Sequence, residues 1–361
     1  MSTEYQIRIY SGTTWKGLIT DMQMLQYSRL VNNFGVCQFV ISEDNQYAAE
    51  CVKNYRVEIW RKVAGASWYR EENYIIRRKK TEWKGTKNII TVTAVSGNWL
   101  LQTRIVAWRT GTANRATFDS QKAETVAKTL VRYNLASDAT TANGRVVAGN
   151  TTNTVQAAGA TGNTIDIACA YDNLLTTLQA VADVGGGDFN MVWTGSVWDF
   201  RWYNGQLGTD RTTTLVFALE RGNLENPSLT EDWMSEKTLA VVGGQGEEAD
   251  RNIRTRQGAD WSAANQVELF VDARDIEAGA TNENDLLDKR GDTELAATEA
   301  SSVLLFSIAQ SENSRYGIDY SLGDLGKVLY AGVAATFKVS EVVVTFQTGA
   351  DETIVVGVQN V

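Results

Sequence analysis

Alternation is the pattern that most constrains this chain. Tyr5, Ile7 and Ile9 alternate with Gln6 and Arg8, and Tyr55, Val57 and Ile59 alternate with Arg56, Glu58 and Trp60. A period of two puts every second side chain on one face, which suits half-buried strands. Trp68 to Arg78 and Ile89 to Val95 fit a long hairpin turning through Trp83-Lys84-Gly85-Thr86-Lys87. The first hundred or so residues therefore predict a β-barrel or sandwich.

The period then lengthens. Asp119 or Ser120 is placed to cap a helix whose apolar Ala123, Val126, Ala127, Leu130 and Val131 share one face, ending near Asn134. A second helix should start near Asp172, bury Leu174, Leu175, Leu178, Val181 and Ala182, and stop at Gly185-Gly186-Gly187, which suits a left-handed cap. Phe189–Trp193 and Val197–Tyr203 fit a hairpin over Thr194-Gly195-Ser196. Between the helices, Ser137 to Gly162 is rich in Ala, Thr, Asn and Gly and reads as an exposed excursion. The span 111–203 is thus a small α/β unit inserted into a mainly β protein. Strands resume at Leu215–Leu219, Leu239–Val242 and Val267–Val271; a helix fits Asn284–Ala300, its middle weakened by Gly291 and Asp292. Strands at Val303–Ala309, Gly326–Tyr330, Thr336–Thr345 and Thr353–Val358 close the chain. The expected organisation is a first β-barrel over 1–110, completed by about 204–235, the insertion at 111–203, and a second barrel over 236–361 with a helix near 284–300.

A faint repeat runs through this pattern. Arg56–Trp60, Trp68–Arg78 and Ile89–Val95 follow the same order of short strand, long strand and alternating strand as Lys327–Tyr330, Thr336–Phe346 and Thr353–Val358. It reads either as two generic hairpin units or as two copies of one barrel unit.

The chemistry is bounded by what is missing. There is no histidine in 361 residues, so no Ser-His-Asp triad, Cys-His pair or imidazole metal ligand is available. Cys37, Cys51 and Cys169 form an odd set without metal spacing and suit buried structural thiols. Gly243-Gly244-Gln245-Gly246 follows a strand but lacks the Gly-Lys-Ser/Thr ending of a phosphate loop and runs into Glu247, Glu248 and Asp250, so a turn is favoured. Asn282-Glu283-Asn284-Asp285 lacks the calcium-loop pattern and fits a helix cap. No carboxylate pair stands out as a glycosidase dyad. We therefore expect no catalytic, cofactor or metal residues and no enzyme activity. Eleven tryptophans, Trp60, Trp68, Trp83, Trp99, Trp108, Trp193, Trp198 and Trp202 among them, favour core and interface roles over sugar or base stacking. The net charge of −9 argues against wrapping nucleic acid, and an acidic conduit wall would let DNA pass without adhering. Arg77-Arg78-Lys79-Lys80 breaks the acidic trend and fits a solvated hairpin tip. The start, MSTEYQIRIY, has no signal-peptide pattern, and the apolar run Val303–Ile308 is too short to span a bilayer, so synthesis in the cytoplasm without a membrane anchor is expected.

Several phrases combine into a family pattern: Tyr55-Arg56-Val57-Glu58-Ile59-Trp60-Arg61, Leu101–Ala107, Gly208-Thr209-Asp210-Arg211, Glu220–Leu229, Val242–Gly246, Asp272-Ala273-Arg274-Asp275, Ser314-Arg315-Tyr316-Gly317 and Leu322-Gly323-Asp324-Leu325. In order and spacing they resemble the baseplate hub proteins of siphophage tails over nearly the whole chain, with Gly208–Gly246 the most specific part and about Ser137–Gly162 carrying none of it. The resemblance implies a structural protein of the virion tail tip. It implies a homotrimer with two tube-like β-barrels per chain, so that three chains make a pseudo-sixfold ring. Implied partners are the tail tube or distal tail protein, the tape-measure protein and tip spike or fibre proteins, with DNA passing through unbound. None of the matched phrases is a catalytic signature. The competing reading is a carbohydrate-binding or carbohydrate-cleaving tail module; a hub from a gene-transfer or injection particle would look the same in sequence.

Overall fold

The structure is a computed structural model and describes residues 3–63, 65–107, 115–136, 139, 152–279, 282–311 and 313–360. It divides into two compact units, Met1–Glu225 with Ser307–Val361, and Asn226–Phe306.

The first unit is built on one eleven-stranded sheet. Its N-terminal strands are β1 (Glu4–Ser11), β2 (Thr14–Ile19), β3 (Met24–Leu30), β4 (Val36–Ser42), β5 (Arg56–Lys62), β6 (Tyr69–Trp83) and β7 (Asn88–Ser96), followed by the single-turn helix α1 (Trp99–Gln102). They lie in the order β3-β4-β7-β6-β5-β1-β2. The predicted alternation is real in β1, where Tyr5, Ile7 and Ile9 are buried between half-exposed or exposed neighbours; in β5 Arg56 and Glu58 are buried along with Val57 and Ile59. The sheet coils enough for β1 to meet strands far from it in hydrogen-bonding order. The rings of Tyr5 and Phe346 lie 5.0 Å apart.

The insertion has β8 (Ala116–Lys122), α2 (Ala123–Asn134), β9 (Asn153–Val155), β10 (Thr164–Cys169), α3 (Leu174–Gly185), β11 (Gly187–Trp193) and β12 (Trp198–Asn204). β10 pairs with β8, and β12 takes β11 on one edge and β9 on the other. Both predicted helices exist and pack on each other through Val126, Leu130, Leu174 and Leu178, all buried, each contributing roughly 1.5–3 kcal/mol. Asn173 caps α3 by accepting from the amides of Leu175 and Thr176, and Gly186 at φ +65° ends it. The cap proposed at Asp119 or Ser120 is instead strand: Ala116 and Phe118 point inward, and the Ser120 amide donates to Asp166, so the helix waits until Ala123. Of the 137–162 excursion, residues 137–138 and 140–151 lie outside the described residues, as does Trp108.

The C-terminal strands pair with the N-terminal ones. β13 (Val216–Ala218) leads through β14 (Leu224–Asp232) into the second unit, and the chain returns for β19 (Leu325–Tyr330), β20 (Val333–Gln347) and β21 (Thr353–Asn360). β20 pairs with β3 over Glu341–Gln347, with β19 over Val333–Lys338, and with β21 on its other edge. Residues 307–361 therefore complete the N-terminal sheet, and the sheet is not closed into barrels. Nothing local encodes this, because β3 and β20 are about three hundred residues apart in sequence. The faint repeat does reappear. β5-β6-β7 and β19-β20-β21 are both meanders around a fifteen-residue strand that carries a bulge, at Ile76/Arg78 in one and Val339/Glu341 in the other.

The second unit is a sheet in the order β16-β15-β17, with β15 (Leu239–Gly243), β16 (Ile253–Gln257) and β17 (Glu268–Asp272), under α4 (Glu283–Ala297). β14 also pairs with β18 (Ser301–Ile308). Ala240, Val242, Val271, Leu287 and Leu295 form its small core. Gly291 lets α4 sit close: a Cβ there would stand 2.7 Å from Val242 and from Arg256. Asn282 makes no side-chain cap. Glu283 accepts from the Gly279 amide instead.

Candidate functional site

The residues from which chemistry might be built are held for structural work. The three cysteines are buried and free; burial pushes Cys51 and Cys169 up to about 11 and Cys37 higher still, so none supplies a thiolate near neutrality. Among the described residues no group of three or more Cys, Asp or Glu is arranged to hold a metal ion. At the glycine turn, Arg251 donates to the carbonyls of Gly243 and Gly244, and a Cβ on Gly243 would stand 2.6 Å from that guanidinium. The turn is closed by an arginine, leaving no phosphate cradle.

A cleft of about 450 Å³ in the first unit is lined by Arg61, Arg315, Tyr316, Asp351 and Glu352 among others. Its floor is a charged network that joins distant parts of the sheet. Arg61 follows Val57 and Ile59 on the inward face of β5 and is almost wholly buried. Its guanidinium meets Glu352 at 2.5 Å and donates to the Tyr5 hydroxyl (3.2 Å), the Tyr69 hydroxyl (2.8 Å) and the Tyr316 carbonyl (3.0 Å). Tyr5 also donates to Glu352. Beside it, Arg29 reaches Glu71 at 2.7 Å and the Tyr316 hydroxyl at 2.8 Å, while Tyr316 donates to Glu71. Burial is the main force holding the phenols of Tyr5 and Tyr316 protonated far above their ordinary range, with the carboxylates beside them acting the same way. Asp351 and Glu352 are neighbours in the cleft, yet Glu352 is saturated by Arg61 and Tyr5 and is not a free acid or base. The site is a lock between β1, β5, β6 and the β20–β21 turn.

A second pocket, of about 370 Å³, brings Trp99, Trp193 and Trp198 together with Arg56. Arg56 is stacked between the rings of Tyr10 (4.3 Å) and Trp193 (4.4 Å) and paired to Glu58 at 2.6 Å. Trp193, Trp198 and Trp202 are core residues; Trp15, Trp83 and Trp233 are exposed, on three separate elements. The second pocket gathers three tryptophans, Trp193 and Trp198 of them buried, and its lining residues include no carboxylate. The basic run lies on the outer half of β6, exposed, as the sequence suggested.

Sequence reasoning had no role for Arg61 or Glu352. The signal was present in Arg61, a charge at a position where the period of β5 demands an apolar side chain.

Comparison with known proteins then places the chain. Residues 6–357 match the family model described as Siphovirus ReqiPepy6 Gp37-like protein. Among curated proteins no relative matches. Solved structures share the fold at low identity. The 43 kDa tail protein of prophage MuSo2 from Shewanella oneidensis is 10% identical, with a TM-score of 0.55 and 98% of each chain covered. The tail protein from Neisseria meningitidis MC58 is also 10% identical, at TM-score 0.53 over 98% of this chain and 97% of that one. Prophage tail protein gp18 from Listeria monocytogenes EGD-e is 12% identical, at 0.51 over 98% and 94%. The resemblance to a siphophage family read from the sequence is borne out, and the chain belongs to the Siphovirus ReqiPepy6 Gp37-like family.

Proposed function

We propose that this chain is a phage tail protein and, within the tail, the baseplate hub, a homotrimer at the tail tip joining the tube end and distal tail protein to the spike or fibre machinery. The observation that carries the reading is the twice-used meander, β5-β6-β7 and β19-β20-β21, each around a fifteen-residue bulged strand. Two tube-like units per chain would let three chains present six, matching a sixfold tube to a threefold tip. The inserted α/β unit would lie outside the ring. Its role is structural: Glu71 and Glu352 are engaged by arginines and tyrosines, Glu124 and Asp188 by lysines and amides, and the thiols are inert. A conduit for the tape-measure protein and then for DNA would repel the DNA where the acidic residues of 226–306, seventeen Asp and Glu against seven Lys and Arg, face it.

Electron microscopy of the purified protein, and of assembled tails, tests this. Threefold rings with a central pore, or threefold density at the tail tip, are expected. Compact particles with a cleft and no place at the tip of the tail would overturn the hub reading, and a basic pore lining would overturn the conduit argument.

A further inference from the structure

The charge of this chain is unevenly placed. Residues 226–306, the second unit, hold seventeen Asp and Glu against seven Lys and Arg, a formal −10, whereas the whole chain is −9. The rest of the chain is therefore +1. Within that rest, residues 77–87 hold six Lys and Arg and one acid, Glu82. Residues 77–83 form an open edge of the sheet, because β5 pairs with β6 only as far as Ile75 while β7 stays paired with β4 out to Ile89. Arg77 and Lys79 are engaged, by Asn54 and the Ala48 carbonyl. Lys80 has only Glu82 of its own strand, and Arg78 and Lys84 join no ion pair among the described residues. Trp83 stands among them, 63% exposed.

The acidic unit carries a matching surface. α4 covers one face of its sheet, through Ala240, Val242 and Val271. Register puts Val241, Ile253, Phe270 and Glu268 on the other face, where Phe270 is 56% exposed. Glu247, Glu248 and Asp250, in the β15–β16 connection, are exposed and join no ion pair among the described residues. Arg251 stands over the Phe270 ring at 5.2 Å, so the open acids of this unit, and not that ring, are the complement of the open cations of β6.

We propose that the β6–β7 ribbon of one copy docks on the 226–306 unit of a second copy. Arg78 and Lys80, which share one face of β6, meet Glu247 and Glu248. The contact rests on the ring reading above, which requires two different surfaces that close on each other. Nucleic acid is the weaker partner for the ribbon: of its six cations only Arg78 and Lys84 have neither an ion pair nor a side-chain hydrogen bond among the described residues, too few phosphate contacts to hold a duplex firmly.

Sedimentation velocity of the full chain at about 0.05 M and about 0.5 M NaCl tests the contact. Wild type should associate at low salt and separate at high salt. Arg78→Glu/Lys80→Glu should lower the association constant on the order of 100-fold, because like charges then face each other, with the melting temperature unchanged. Mixing it with Glu247→Lys/Glu248→Lys should restore a mixed assembly. Undiminished assembly of the ribbon variant overturns the proposal. So does wild type that stays monomeric at low salt, or a loss of duplex DNA binding with assembly unchanged. Threefold particles formed by the ribbon variant would remove this contact and leave the hub reading standing; tails without the protein at their tip would remove the hub reading itself.

Discussion

Replacing Arg61 with methionine tests whether the cleft is a lock. Arg61→Met keeps the length and apolar stem of the side chain and removes the guanidinium. The Arg61 side chain is 2% exposed and that of Glu352 is 15% exposed, so Glu352 would be left largely buried without its cation, and Tyr69 and the Tyr316 carbonyl would lose a donor. Removing one partner of a buried pair costs about 3–5 kcal/mol, since the remaining charge stays desolvated. The first unit comprises about 280 residues, for which an unfolding entropy of roughly 2.1 cal/mol/K per residue sums to about 0.6 kcal/mol/K. Its calorimetric transition should therefore fall by about 5–8 °C. The double variant Arg61→Met/Glu352→Leu, with no stranded charge, should recover part of that loss, giving a coupling of about 2 kcal/mol. A fall in Arg61→Met of less than about 2 °C, or a double variant whose loss is the sum of the two single losses, would refute the reasoning.

Two further perturbations test how the insertion is held. Burial disfavours the charge on Glu124, but hydrogen bonds from Lys128, the amides of Gly159 and Thr161 and the Thr161 hydroxyl outweigh it and hold its pKa at about 2 against an ordinary 4.5. Because the folded value is the lower one, the stabilisation is complete above about 4.5 and drains as pH falls towards 2, about 3 kcal/mol in all. Urea melts of wild type and Glu124→Gln should converge across that window, and equal acid losses in both would sink the idea. Asp188, fully buried, accepts from Asn32 (2.9 Å), Lys338 (2.9 Å) and the Leu207 amide (2.8 Å), tying β11 to the main sheet. Asp188→Ala should cost about 3–5 kcal/mol and speed hydrogen exchange in β11 and β12; unchanged protection there would show that the tie is dispensable.

Local periods were legible and long-range pairings were not, for a physical reason. The β6–β7 hairpin, the helix buried through Leu174 and Leu178, and the glycine stop at Gly186 are each set by residues a few positions apart, and all appear where the sequence placed them. α2 was misplaced at its start because Asp119 and Ser120 are good caps by composition but belong to β8, whose pairing with β10 spans the whole excursion. The C-terminal strands lie where their period places them, but their neighbour is not legible locally, because β20 takes β3 from the other end of the chain. Residues beside a turn advertise their partner; Val342 and Arg29 do not.

The same distinction explains the lock. An arginine at a buried position of β5 advertises that a counter-charge exists somewhere, because burying it alone would cost more than the strand gains. It says nothing of where that charge is, and Glu352 comes from the other end of the chain. Such pairs do what a continuous core cannot do between two coiled ends of one sheet. They fix which strand faces which, since a shift of one residue along β21 would carry Glu352 to the other face and strand Arg61. Chains that must assemble by matching surfaces need that register held before a partner arrives. The β20–β21 turn is therefore closed by charge, where apolar contacts alone would let it slide.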